Sequence, residues 1–249
     1  MSERVFRGLS EQISWQIGAR IVRGDLAQGT KIENEDQLGK EFGVSRTVIR
    51  EAMKSLSAKG LVEVRPRIGT RVLSRDHWSL LDSDVMDWYR ETEPSEEVLQ
   101  QLREMRTVLE PGAVALACVR ADDTDVGRIV AAYERMKNCV NQPEAFVRAD
   151  SDFHLEILRA THNDYLSILG GLIKTDLLSF IKVVNSDPET NVTTLKLHAD
   201  LVKAIIARDA AEGEKAMRIM MDVGEARLRN SFEKKNSEVE VSGTEGKEE

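Results

Sequence analysis

The chain has 249 residues, 41% of them apolar and 31% charged. That supports a core, but no stretch approaches the roughly 18 apolar residues of a membrane-spanning helix. Two cysteines, Cys118 and Cys139, and an N-terminus lacking an apolar segment and a cleavage site set aside a disulfide scaffold and a secretion signal. The expected location is therefore the cytoplasm.

Charge divides the chain unevenly. Residues 1–75 hold 14 Lys/Arg against 9 Asp/Glu, a net of +5, whereas the rest holds 21 against 34, a net of −13. A basic first third on an acidic chain of net charge −8 suggests a polyanion-binding module joined to something that avoids the polyanion.

Leu9, Ile13, Ile17, Ile21 and Val22 repeat at helical spacing, and Gly24-Asp25 ends that pattern. Asn34 suits the start of a short second helix, which Gly43 stops. Ser45 caps a third helix from Arg46 to Lys59, with Val48, Ile49, Ala52, Met53 and Leu56 inward, and Gly60 closes it. Leu61 to Val64 and Thr70 to Leu73 read as two strands around a turn at residues 65–69. Three helices followed by a hairpin is the order of a winged helix-turn-helix, expected over residues 1–75.

Residues 76–94 read as a helical connector. Trp78, Leu81, Val85 and Trp88 share one helical face, which should be packed. From Pro94 onward the apolar period is helical throughout. Breaks fall near residues 121–123, 141–143, 162–163, 187–188 and 209. About six helices are expected between 95 and 235, with Pro111 kinking the first. Residues 236–249 are expected to form a disordered acidic tail. The fold class is mainly α: a winged helix-turn-helix joined to an all-α helical bundle.

The second and third helices carry the first chemistry. Ser45, Arg46 and Thr47 occupy the N-terminal end of the third helix, the end that enters the major groove in such motifs. Arg46 and Arg50 are four residues apart and project from one face. Arginine pairs bidentately with guanine, a contact worth about 1–3 kcal/mol of discrimination. Arg65, Arg67 and Arg71 cluster at the hairpin, as a wing touching phosphate or the minor groove requires.

The second chemistry lies in the helical region. Asp150 and His154 stand one turn apart on the inward stripe of residues 144–161, with Phe153, Ile157 and Leu158. His198 lies on the inward stripe of residues 192–207, with Leu195, Leu201, Val202 and Ile205. One Asp and two His facing a core suit a divalent metal such as zinc, nickel, manganese or iron. They equally suit satisfied core histidines. Arg106 borders the stripe Leu102, Met105, Leu109 and suits a bidentate carboxylate. The alternative is an ion pair with Glu110 or Asp150.

The segment Phe42 to Ala52, with Leu56, Gly60-Leu61 and Gly69-Thr70, resembles the winged-helix domain of GntR-type bacterial repressors. The helical remainder resembles the ligand (FCD) domain of the FadR branch of that family. The resemblance implies DNA contacts at Ser45, Arg46, Thr47, Arg50, Arg65, Arg67 and Gly69. It implies an effector carboxylate on Arg106, with Asp150, His154 and His198 as effector-binding and metal-ligand positions. Two departures stand out. Asp36 occupies a place where many relatives carry a DNA-contacting basic residue, and Met220 falls where a fourth metal ligand, a histidine, is expected. The connector His77 to Trp88 and the stretch Glu144 to Asn163 are similar to members of that branch that respond to sugar acids. The resemblance thus implies a homodimeric repressor, not an enzyme, that leaves a palindromic DNA operator on binding galactonate or a related aldonate. An activator, a response to another small carboxylic acid, and remotely a helical metalloenzyme are the alternatives.

Overall fold

The computed structural model describes residues 6–65, 69–91, 95–184 and 188–244. The chain divides into two units, Met1–Pro94 and Ser95–Glu249.

In the first unit, helix α1 spans Leu9–Arg23 and buries Ile13, Ile17 and Ile21, the stripe expected from spacing. Strand β1 is the two-residue Lys31–Ile32. Helix α2, Glu35–Phe42, starts on a capping box in which Asn34 accepts from the Gln37 backbone and the Gln37 side chain returns the bond. Helix α3, Arg46–Ala58, starts on Ser45, whose side chain accepts from the Val48 N–H. Between them Gly43 takes φ 66°, a left-handed turn that closes α2 and redirects the chain. Strands β2, Val62–Arg65, and β3, Gly69–Val72, form the expected hairpin. The sheet order is β1-β3-β2, all antiparallel, with Lys31 opposite Arg71 and Glu63 also opposite Arg71. The third strand was not expected: two residues carry too little alternation to register as a strand.

The connector belongs to this first unit. After a 3-10 turn at Arg75–His77, helix α4 spans Ser83–Glu91. Trp78, Val85 and Trp88 are buried in the same apolar cluster as Ile17, Ile49 and Leu56. Leu81 is exposed, against expectation, because helical geometry begins only at Ser83 and the stripe is broken before it. Trp88 packs on α1. Its ring centroid lies 5.3 Å from that of Trp15, and a Cβ on Gly18 would stand 2.1 Å from the Trp88 ring. Gly60 (φ 75°) is fixed for a similar reason, since a Cβ there would meet the His77 carbonyl oxygen at 2.0 Å.

The second unit contains the six expected helices among the described residues: α5 Glu96–Arg120, α6 Asp123–Asn138, α7 Pro143–Ala160, α8 Asp164–Val184, α9 Pro188–Ile206 and α10 Ala210–Thr244. Helix α5 is continuous through Pro111. It packs against α10, α6 against α7, and α7 against α8. One large core joins Val114, Phe153, Ile157, Leu201, Ile205, Met217 and Met220. Helix α10 overturns part of the expected tail. It continues to Thr244, whereas disorder was expected from residue 236. The segment contains no proline, and its first glycine after Gly224 is Gly243, so nothing in it breaks the helix. No helix among the described residues is long and apolar enough to cross a membrane.

Gly18→Val drives a branched side chain into the Trp88 ring. It should lower the stability of the native chain by about 1–3 kcal/mol in urea denaturation followed by tryptophan fluorescence; an unchanged midpoint would show that Trp88 does not pack on α1.

Candidate DNA-reading face and buried imidazole cluster

The first unit brings the expected DNA contacts onto exposed backbone. Ser45, Arg46, Thr47 and Arg50 all lie exposed at or near the N-terminal end of α3. The Ser45 hydroxyl is engaged in its own helix cap, at 3.5 Å from the Val48 nitrogen. Arg46 and Arg50 are not loose cations. Arg46 pairs through Nε with Asp36. Arg50 donates from Nε and Nη2 to the two oxygens of Glu35, at 3.1 and 2.8 Å. That guanidinium holds the Glu35 carboxyl below the ordinary carboxylate range. On the wing, Arg65 pairs with Glu63 at 2.8 Å. Gly69 opens β3 at φ 109°, against the Lys31 side chain. Arg67 lies outside the described residues.

The second unit buries an unusual polar chain in its apolar core. Asp150 and His154 come from adjacent turns of α7, and His198 comes from α9 across from them. His154 and His198 are 2% and 1% exposed. Candidate ligand atoms of Asp150, His154 and His198 all lie within 4.8 Å of one another. His198 Nε2 is 2.7 Å from Asp150 Oδ1, and His154 Nε2 is 3.5 Å from the same oxygen. The two imidazole rings stand edge to face, 5.5 Å apart, with Phe153 packed against both.

The remaining ring nitrogens fix the orientation. His198 Nδ1 lies 2.8 Å from the Thr194 carbonyl, a contact that orients the ring with Nε2 towards Asp150. His154 Nδ1 lies 2.5 Å from Glu110 Oε2. Glu110 in turn pairs with Arg106 through its other oxygen. Arg106 is thus fully buried in an ion pair with Glu110, one of the two partners considered from the sequence. Burial alone would push the Glu110 carboxyl up, but Arg106 and His154 overcome it and hold it down at about 2. Burial alone would lower His154, yet the Glu110 and Asp150 charges on either side raise it to about 9. Asp150 is held far below the usual carboxylate range, burial again being outweighed by the two histidines.

This donor set fits a divalent cation. Asp150 Oδ1 and His198 Nε2 crowd each other at 2.7 Å, yet neither makes an aligned hydrogen bond. Buried polar atoms left in that state are costly, and a cation bound by both would satisfy them. Both histidines turn Nε2 inward and Nδ1 to an oxygen, the outer contact that metal-bound imidazoles favour. Asp150, His154 and His198 would hold the ion, which would supply a Lewis-acidic anchor for a ligand's oxygens. Met220, at the position of a further expected ligand, is buried in the apolar cluster.

Neighbouring residues extend the network beyond the sequence expectation. Arg227 of α10 donates to Thr194 Oγ1 at 2.6 Å, and burial lowers its guanidinium below the ordinary arginine value. Arg103 is buried against Gly224 and donates to the Met221 carbonyl. Neither was singled out, because a lone Arg on a helix carries no signal of what faces it. A second acidic group, Asp122, Asp125 and His162, is structural. Asp122 and Asp125 form the capping box of α6, and His162, just past the end of α7, reaches Asp125 at 2.6 Å.

Comparison with known proteins follows this geometry. Residues 9–72 match the family of bacterial regulatory proteins called gntR, and residues 101–223 match the FCD domain. The chain is 32% identical over 218 residues to the HTH-type transcriptional regulator YieP of Escherichia coli, spanning 86% of this chain and 93% of that protein. It is 31% identical over 221 residues to the galactonate operon transcriptional repressor of Escherichia coli, spanning 88% and 96%.

The chain belongs to the GntR family, in the branch that carries an FCD domain.

A solved structure of the Listeria monocytogenes regulator Lar shares the fold of this GntR regulator at a TM-score of 0.63 and 19% identity, covering 91% of this chain and 99% of that one. The chain is accordingly a DNA-binding transcriptional regulator whose relatives include repressors. The residues expected to contact DNA lie in the matched gntR segment, and the imidazole cluster lies in the matched FCD segment.

Two measurements test the cluster. His154 is raised above its ordinary 6.5, so its contribution to stability is complete below pH 6.5 and lost as pH climbs through about 9. In chelator-treated protein the melting temperature should fall between pH 7 and 9.5, and His154→Gln should flatten that fall. Added zinc, nickel or manganese should raise the melting temperature of the native chain, by about 2.7 kcal/mol of stability at a hundredfold excess over Kd. Asp150→Ala and His198→Ala should remove that rise; an undiminished rise in both variants would place the ion elsewhere.

Proposed function

We propose that this regulator is a homodimeric repressor that releases a palindromic operator when a sugar acid, galactonate or a related aldonate, enters its FCD domain. A two-fold dimer presents two α3 helices and two wings, and so calls for two inverted half-sites. Arg46, Thr47 and Arg50 read base edges. Arg65 reaches the groove, and Ser45, Arg67 and Gly69 position the protein on the backbone.

One observation carries the effector reading. A continuous polar chain runs through an otherwise apolar bundle: Arg106, Glu110, His154, Asp150, His198, Thr194 and Arg227. It begins and ends on a buried or half-buried guanidinium. A sugar acid offers the matching groups, a carboxylate at one end and a row of hydroxyls. The carboxylate binds at Arg106. Hydroxyls reach Arg227 and the ion held by Asp150, His154 and His198. The name of the galactonate relative supports the same ligand class.

Release follows from differential affinity. A ligand that binds the DNA-free geometry better than the DNA-bound one must weaken DNA, and DNA must weaken the ligand by the same factor.

The test is an operator duplex titrated with protein, with and without galactonate. Native protein should lose DNA affinity by about 5–150-fold, the usual span of such coupling. Truncating Arg106 alone would strand the buried Glu110 charge, at a cost of about 3–5 kcal/mol. The neutral pair Arg106→Gln with Glu110→Gln avoids this. It should keep operator affinity and lose the galactonate response. A full response in the double variant removes Arg106 as the carboxylate site, and unchanged DNA affinity of native protein across aldonates removes the effector class.

A further inference from the structure

Three arginines of the described DNA-reading face, Arg46, Arg50 and Arg65, already hold a carboxylate. Asp36 holds Arg46, Glu35 holds Arg50 and Glu63 holds Arg65. Their side chains are 70%, 60% and 61% exposed, so none of the pairs is needed to satisfy a buried charge. Two of the pairs cross from α2 to α3, so the packing of the two helices creates them.

The Glu35 contact has a particular shape. It uses the Nε and Nη2 side of the Arg50 guanidinium. A guanidinium has five N–H donors, and clamping that side leaves the Nη1 end as a second donor edge. That edge suits a bidentate approach to the O6 and N7 acceptors of guanine. Guanine is neutral, so it can be read while Glu35 stays in place. A phosphate is negative and must approach against the carboxylate. The clamp therefore separates the two kinds of DNA acceptor by charge. The Asp36 and Glu63 contacts add two more negative groups beside arginines that generic DNA binding would use. Such repulsion against the wrong partner is a recognised source of specificity.

We propose that Glu35, Asp36 and Glu63 are specificity residues of the DNA-reading face: they hold Arg50, Arg46 and Arg65 as locally neutral pairs that admit base edges and disfavour phosphate. The inference rests on α3 and the wing being the face that reads DNA. It needs no statement about the effector.

The test uses the full chain and two duplexes. One is recovered by selection with the native protein from a randomised pool, and the other has a scrambled sequence of equal length. The variant Glu35→Gln/Asp36→Asn/Glu63→Gln removes the three charges with little change of shape, and its melting temperature checks the fold. Affinity for the scrambled duplex should rise by about tenfold or more near 0.1 M salt. The slope of log affinity against log salt should steepen by about 0.9 for each phosphate newly engaged. The ratio of selected to scrambled affinity should fall correspondingly. Glu41→Gln, which removes a charge of α2 paired with Arg20 on α1, should leave that ratio unchanged.

Two results would overturn the proposal. One is an unchanged scrambled-duplex affinity and salt slope in the triple variant. The other is loss of selected-duplex affinity alone, which would make the carboxylates mere positioners of the arginines. Continued enrichment of the selected duplex by native protein separates either failure from a failure of the DNA-reading assignment.

Discussion

The helical domain depends on one buried carboxylate. Glu110 is 2% exposed, and its two oxygens face Arg106 and His154. An uncompensated charge at that depth would cost several kcal/mol, so the carboxylate can be there only while both partners stay. The constraint propagates. His154, held from behind through Nδ1, turns Nε2 towards Asp150. Asp150 meets His198, and His198 is locked by the Thr194 carbonyl. Each link fixes the next, which is how flexible side chains on three helices come to converge within a few ångströms. Buried polar networks of this kind specify one arrangement of helices when they are complete. The same property suits them to sensing, because a ligand that replaces one member disturbs the rest.

The DNA-reading domain uses charge in the opposite setting. The ion pairs of its α2–α3 face and wing are exposed, so they contribute little to stability and can be exchanged at small cost. Stability there comes from the apolar cluster of α1, α3, the hairpin and α4, with Trp88 laid over the bare backbone at Gly18. The two domains thus divide the use of charge. In one it is buried, and breaking it is expensive. In the other it lies at the surface, ready to trade partners.

Much of this was legible in order along the chain. Asn34, Gly43, Ser45 and Gly60 mark helix ends by backbone chemistry that acts within a few residues, and all four act there. The stripes of α7 and α9 place Asp150, His154 and His198 inward by periodicity alone, and the structure brings them together. Leu81 shows where periodicity misled. It shares a helical spacing with Trp78 and Val85, but the chain is not helical at that point. Strand β1 was missed because two residues show no period. The helical extension of α10 was missed because an acidic, polar composition does not say whether a helix already under way will stop.

The sequence by itself determined the winged-helix order, the six helices and the inward position of the cluster residues, because caps, breaks and periods are local properties. The tertiary structure alone decided who faces whom. Nothing in the spacing says that Asp36 meets Arg46, that Glu35 clamps Arg50 or that Arg227 ends the polar chain. Those contacts join segments up to 33 residues apart, on helices whose relative placement is set by how their apolar faces pack. A charged side chain carries the same letter in either surrounding, and only packing tells it which partner it will have.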